Sequence, residues 1–151
     1  MASAQKRTLA RIFIDSSVLF AAALSPTGGA RALIVLGLRG HCELVLSELV
    51  LEETRRNLAK KAPAAVAAFE LLREALADSI VRSPSKRQVV RAARVVALKD
   101  AAIVAAALAG KASHLATHDT KHLLNEADSI RTALGLMVAT PGDILSLVQE
   151  G

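Results

Sequence analysis

Four carboxylates widely separated in the chain, Asp15, Glu53, Asp100 and Asp119, have the residue type and placement to do chemistry together. Asp15 directly follows the apolar run Arg11-Ile-Phe-Ile, and Asp119 follows Leu115-Ala-Thr-His in the same way. Asp100 opens a segment that is apolar almost all round. Ile103 and Val104 stand at i+3 and i+4, which puts its carboxylate on a line of core residues. At about 100° per residue, Val50, Leu51, Thr54 and Leu58 define the inner side of a helix, and Glu53 flanks that side. Its neighbour Glu52 points the other way, towards Arg55 and Arg56, where a surface ion pair is the ordinary expectation. For each aspartate taken alone, a turn or helix-capping role is the plain alternative. A cap explains one acid but not four that converge. Crowded carboxylates raise one another's pKa unless a cation offsets them. Oxygen-only ligation completed by water suits Mg²⁺ or Mn²⁺, ions that activate water and neutralise charge developing on a phosphate.

The elements that must position these acids follow from the apolar pattern. Short apolar runs at Arg11–Ile14, Glu43–Leu46, Leu115–Thr117 and Leu136–Ala139 lack clean alternation, as strands buried on both faces do. Helical patterns lie between them: one leading to Leu24, then Gly29–Leu38 with a Gly40 stop, and Glu48–Lys61 with two lysines in its last turn. Further helices are expected over Ala64–Leu76, Lys86–Val96, Asp100–Ala109 with Gly110 as C-cap, and Pro141 through Val148. The alternation predicts an α/β fold, a three-layer α/β/α arrangement around a parallel sheet of four to five short strands. Residues 1–10 read as a tail and 11–151 as one domain. In such folds ligands bind outside the carboxyl ends of the strands, where Asp15 and Asp119 fall.

Composition narrows the partner. The chain has 151 residues, 52% of them hydrophobic but only 2% aromatic, a formal charge of +5 and a pI near 9.9. The basic balance suits a polyanion. With no Trp or Tyr there is no stacking platform, so a nucleic acid would be held mainly through its phosphates. No uncharged apolar run reaches the length of a membrane span, and Asp15 interrupts the apolar stretch nearest the N-terminus. One cysteine, Cys42, excludes an intrachain disulfide and points to a reducing cytoplasm and a buried thiol.

On these residues the chain resembles a PIN domain, the metal-dependent nuclease family that includes VapC-type toxins. The resemblance runs from Arg11 to about Leu147. It comprises Ile12-Phe-Ile-Asp-Ser-Ser-Val-Leu, the turn Leu24-Ser-Pro-Thr-Gly-Gly, and Ser47 followed six residues on by Glu53. It continues through Leu98-Lys-Asp-Ala-Ala-Ile-Val, then Leu115-Ala-Thr-His-Asp, and closes on Ala139-Thr-Pro-Gly-Asp. The family often carries Asn two residues after the first Asp, here Ser17, and Gly before the last acid, here His118. The resemblance implies a Mg²⁺- or Mn²⁺-dependent endoribonuclease with Asp15, Glu53, Asp100 and Asp119 as metal ligands. Ser16, Ser17, Thr117 and His118 would support them. It also implies a toxin neutralised by a cognate antitoxin protein.

Other features admit two readings each. Arg31, Arg55, Arg56 and Lys121 are candidate RNA-backbone contacts, and Lys60, Lys61, Lys86, Arg87, Arg91 and Arg94 either extend that surface or are solvated helix faces. His114, His118 and His122 recur at spacing four, but a strand intervenes, so a substrate-facing or solvated role is preferred to a zinc site. Residues 26–31 form a turn or a phosphate-binding helix start, without the Gly-Lys-Ser/Thr of a nucleotide loop. The alanines over 64–68 face either the core or a homodimer partner. The rival functions are a catalytically impaired RNA- or protein-binding module of the same fold, and a phospho-accepting receiver domain. The receiver lacks its acidic pair here, because Asp15 is followed by two serines.

Overall fold

The computed structural model describes residues 9–150. Four parallel strands form its centre: β1 (Arg11–Ile14), β2 (Glu43–Val45), β3 (His114–Ala116) and β4 (Met137–Ala139), in the order β2-β1-β3-β4. The register pairs Phe13 with Val45 on one side of β1 and with Leu115 on the other. Ile12, Phe13 and Ile14 are all fully buried, which explains why β1 shows no alternation: both faces are covered.

The helices are α1 (Ser16–Leu24), α2 (Gly29–Leu38), α3 (Glu48–Lys61), α4 (Val66–Ala75), α5 (Lys86–Ala93), α6 (Leu98–Ala109), α7 (Ala127–Leu134) and α8 (Pro141–Glu150). Their packing falls into two groups. In one, α1 packs against α2, α3 and α4, and α2 against α8; in the other, α5 packs on α6, which meets β3. The result is the expected three-layer α/β/α arrangement. Among the described residues no single helix is long and apolar enough to cross a membrane. The pair α1 and α2 reaches that length and composition only together, with a 99° bend between them.

Several expected boundaries move, each for a physical reason. The sheet has four strands, within the expected four to five. The third begins and ends one residue early: Thr117 N–H still bonds to the Ala139 carbonyl, but its side chain is drawn into the site below. The second strand ends at Val45, and Leu46 bridges instead to Ile80. The helix expected over Ala64–Leu76 starts as a 3₁₀ turn at Pro63–Ala65, since proline supplies a first turn but no donor. The helix from Lys86 ends at Ala93, three residues short of Val96. Helix α6 starts at Leu98, so Asp100 lies inside its first turn rather than capping it. The last helix runs beyond Val148 to Glu150. Helix α7 adds an element to those expected; only Ile130 in it is buried, leaving little periodic signal, and Gly135 ends it at φ +71°.

The fit between α2 and β2 is tight. A Cβ at Gly37 would fall inside the isobutyl carbons of Leu44, so the close approach favours glycine here in the last turn of α2.

Candidate active site

Strand order sets the geometry. From β1 the chain crosses to β2 on one side, while the later half of the molecule builds β3 and β4 on the other. The reversal falls between β1 and β3, and the carboxyl ends of strands at such a switch are where open parallel sheets bind ligands. Asp15 stands at the end of β1, and its N–H bonds to the Ala116 carbonyl across that seam at 3.1 Å. It occupies the N-cap position of α1, yet its side chain makes no capping bond. The carboxylate of this buried residue is therefore available for something else.

A hydroxyl network holds it. Thr117 Oγ1 and Ser17 Oγ each donate to Asp15 Oδ2 at 2.8 Å. The same Thr117 oxygen accepts the Asp119 N–H at 3.0 Å, and the Ser17 oxygen accepts the His118 N–H at 3.0 Å. Each hydroxyl thus ties the carboxylate of one strand end to the backbone of the other. Among the described residues no hydrogen bond reaches Asp15 Oδ1. Asp119 Oδ1 accepts the His122 N–H at 3.1 Å, which fixes the turn that follows. The turn alternative for Asp119 is therefore partly realised, alongside its position at the seam.

Glu53 and Asp100 come from two helices. Ser47 caps α3 by accepting the Val50 N–H, and buried Thr54 satisfies its hydroxyl on the Val50 carbonyl of its own helix. That seats Glu53 half-buried on the inward flank, while Glu52 is exposed. The pair expected between Glu52 and the neighbouring arginines does not form among the described residues. Arg55 bonds instead to Glu70 of α4 at 3.0 Å, because α4 packs alongside α3.

The acids feel one another. Burial pushes the Glu53 carboxyl up, the charges of Asp15 and Asp100 push it further, and the Ser16 hydroxyl and Arg56 pull it down. Burial also raises Asp100, with Asp119 and Asp15 adding to the rise and Lys99 and His122 opposing it. A site that raises two of its own carboxyls this way favours a compensating cation. Lys99 is a further charge beside the site, signalled in the sequence only by its adjacency to Asp100.

Among the described residues no three His, Cys, Asp or Glu side chains stand close enough to form a ready-made metal cage. The donor set still fits Mg²⁺ or Mn²⁺. Such ions keep several waters and take one or two carboxylates plus substrate phosphate rather than an all-protein shell. His118 is exposed next to the network, and burial lowers the pKa of His114, whose Nδ1 lies 2.8 Å from the Ser113 hydroxyl. Arg31 is partly spent on structure, its Nε donating to the Ala22 carbonyl at 2.9 Å. Lys121 and Arg56 are exposed. The Cys42 thiol is buried and its pKa raised by that burial, so it is a poor nucleophile.

Comparison with known proteins agrees with this reading of the fold. A family profile of the PIN domain matches residues 11–121, which spans β1 through the turn after β3. The chain belongs to the PIN-domain family, a nuclease-type fold whose members typically use divalent metals. Among solved structures, the crystal structure of PAE2754 from Pyrobaculum aerophilum superposes with a TM-score of 0.63. It shares 20% identity and covers 95% of this chain and 100% of that one. At that identity the likeness concerns the fold. No curated protein matches.

Proposed function

We propose that this protein is a Mg²⁺- or Mn²⁺-dependent endoribonuclease, with Asp15, Glu53, Asp100 and Asp119 as the acids that hold the ion. The observation that carries this reading is the seam between β1 and β3. There Asp15 is fixed through Oδ2 by two hydroxyls, within reach of the charges of two further carboxyls. A bound divalent ion supplies Lewis acidity at phosphate oxygens and acidifies water. The chain's own part is orientation. Thr117 and Ser17 hold Asp15, the Asp119 backbone is tied to Thr117, and Ser16 stands beside Glu53. Without stacking residues, substrate would be gripped by its phosphates, which suits cleavage of RNA at exposed backbone.

The resemblance to VapC-type proteins supports a finer reading: a toxin acting in the cytoplasm, silenced by a cognate antitoxin protein, and able to pair with a second copy. A small DNA-binding protein encoded next to it, whose co-expression relieves growth arrest, would support that role. Relief by an unrelated protein would count against it.

The direct test is cleavage of a mixture of structured and single-stranded RNA with Mn²⁺, Mg²⁺ or chelator. Cleavage is expected only with metal, and Asp100→Asn is expected to lower the rate at least about 100-fold. Undiminished cleavage by that variant would overturn the assignment. One observation favours a second reading, an RNA-binding module without turnover. Ser17 stands where the resembling sequences often carry Asn, and its hydroxyl is already engaged by Asp15 and the His118 N–H. RNA binding without cleavage under every divalent ion would decide for it.

A further inference from the structure

The charge of this molecule is segregated along the chain. Between Ser79 and Lys99 there is no acid at all, while Arg82, Lys86, Arg87, Arg91, Arg94 and Lys99 contribute six positive charges. The remaining 13 of the 19 cations face all 14 acids, so the rest of the chain carries −1 and this segment accounts for the whole excess of +5. All six cations are exposed, and among the described residues none takes part in an ion pair. The other basic candidate, on α3, is different. Arg55 is bound to Glu70, and the groove beside it includes Glu52 among its lining residues. A polyanion meeting α3 would displace existing pairs; on α5 it would meet free cations.

Geometry makes α5 a track. Lys86, Arg87, Val90, Arg91 and Arg94 line an open groove of about 580 Å³, with Val90 50% exposed at its floor. Arg87, Arg91 and Arg94 lie on one side of the helix and span about 10 Å of its axis, the length of roughly three stacked nucleotides. A capping box at Ser85 and Gln88 fastens the start of the helix, so the cations are presented on a rigid rod. The opposite face, with Ala92 buried, packs on α6. At the junction Leu98 is 76% exposed and Lys99 adjoins Asp100, so the stripe leads to the acids from the α6 side.

We infer that the exposed face of α5 is the docking track for a single-stranded RNA backbone flanking the scissile phosphate, with Lys86, Arg87, Arg91 and Arg94 each meeting a phosphate. The inference rests on the nuclease reading for the identity of the polyanion. Its test does not depend on turnover.

Affinity for a short labelled single-stranded RNA is measured by fluorescence anisotropy in chelator, at salt concentrations between about 50 and 200 mM. The full chain is compared with the quadruple variant Lys86→Gln, Arg87→Gln, Arg91→Gln, Arg94→Gln, and with the pair Arg91→Gln, Arg94→Gln. Each lost phosphate contact should lower the slope of log affinity against log salt by about 0.7, so the quadruple variant should lose nearly three units and the pair about half as much. A control variant with Lys60 and Lys61 changed to Gln should keep most of the slope. Because all the altered residues are exposed, melting temperatures should stay near the parent's, and the double variant provides the reading if the quadruple one does not fold. An unchanged slope in both α5 variants overturns the proposal. So does intact RNA affinity combined with lost binding to polyglutamate, which would mark the stripe as a site for an acidic protein. RNA binding that depends on α5 without metal-dependent cleavage leaves the track standing and sinks the nuclease reading. Cleavage and binding that both ignore α5 do the reverse.

Discussion

At the scale of single residues, the site is defined by which oxygen of each carboxyl is occupied. Asp15 Oδ2 is taken by Thr117 and Ser17, and this fixes where its other oxygen points. Thr117→Val should leave the Asp119 N–H without its acceptor and Asp15 with one donor fewer, at a cost of about 1–3 kcal/mol in urea denaturation. It should also weaken Mn²⁺ binding about 10- to 100-fold, while Thr117→Ser keeps the hydroxyl and most of both. Glu53 and Asp100 are raised in the folded state, so the native protein holds their protons more tightly than the unfolded chain. Their contribution is therefore unfavourable at neutral pH and disappears below the ordinary carboxylate range. Metal-free protein should lose stability as pH climbs from that range through the raised values. Asp100→Asn should raise the metal-free melting temperature above that of the parent at neutral pH and flatten this dependence, even as it removes activity. A fall in melting temperature would show that the carboxylate is structural. The placement of the four acids was legible from the sequence, because each follows a strand run or lies on a helix's inward flank. The partners of the hydroxyl bridges were not, because those bonds join atoms from segments about a hundred residues apart.

At the scale of elements, α2 meets β2 through Gly37, and α5 meets α6 through Ala92. Gly37→Ala brings two effects into competition. Alanine improves helix propensity by at most about 1 kcal/mol in this last turn, but overpacking against Leu44 costs about 1–3 kcal/mol. A net loss of stability is expected. Adding Leu44→Ala should make Gly37→Ala neutral or favourable, so a double-mutant cycle in denaturant checks the assignment. Helices α2 and α3 begin and end where their capping and periodic signals place them, because those signals are local. The end of α5 and the start of α6 shift because the buried α5–α6 contact, rather than propensity, decides where each axis stops.

At the scale of the whole molecule, the four acids proposed to hold the ion come from two strand ends and two helices, so they can serve one site only when the fold is intact. A cation bound there should therefore stabilise the whole domain. At 100 times its Kd, Mn²⁺ should add about 2.7 kcal/mol, a rise of roughly 5–10 °C in Tm, and Asp100→Asn should abolish most of it. An equal rise in the variant would place the ion elsewhere. The amino-acid sequence by itself determined the alternation of strands and helices, the parallel three-layer class, and the acids at the strand ends. Each of these follows from short-range periodicity, charge and turn chemistry. Only the tertiary structure decided the order β2-β1-β3-β4, and with it the seam where Asp15 and Asp119 are tied through Thr117. A right-handed crossover is compatible with placing the next strand on either side of the last, and that choice is made by the packing of the entire sheet.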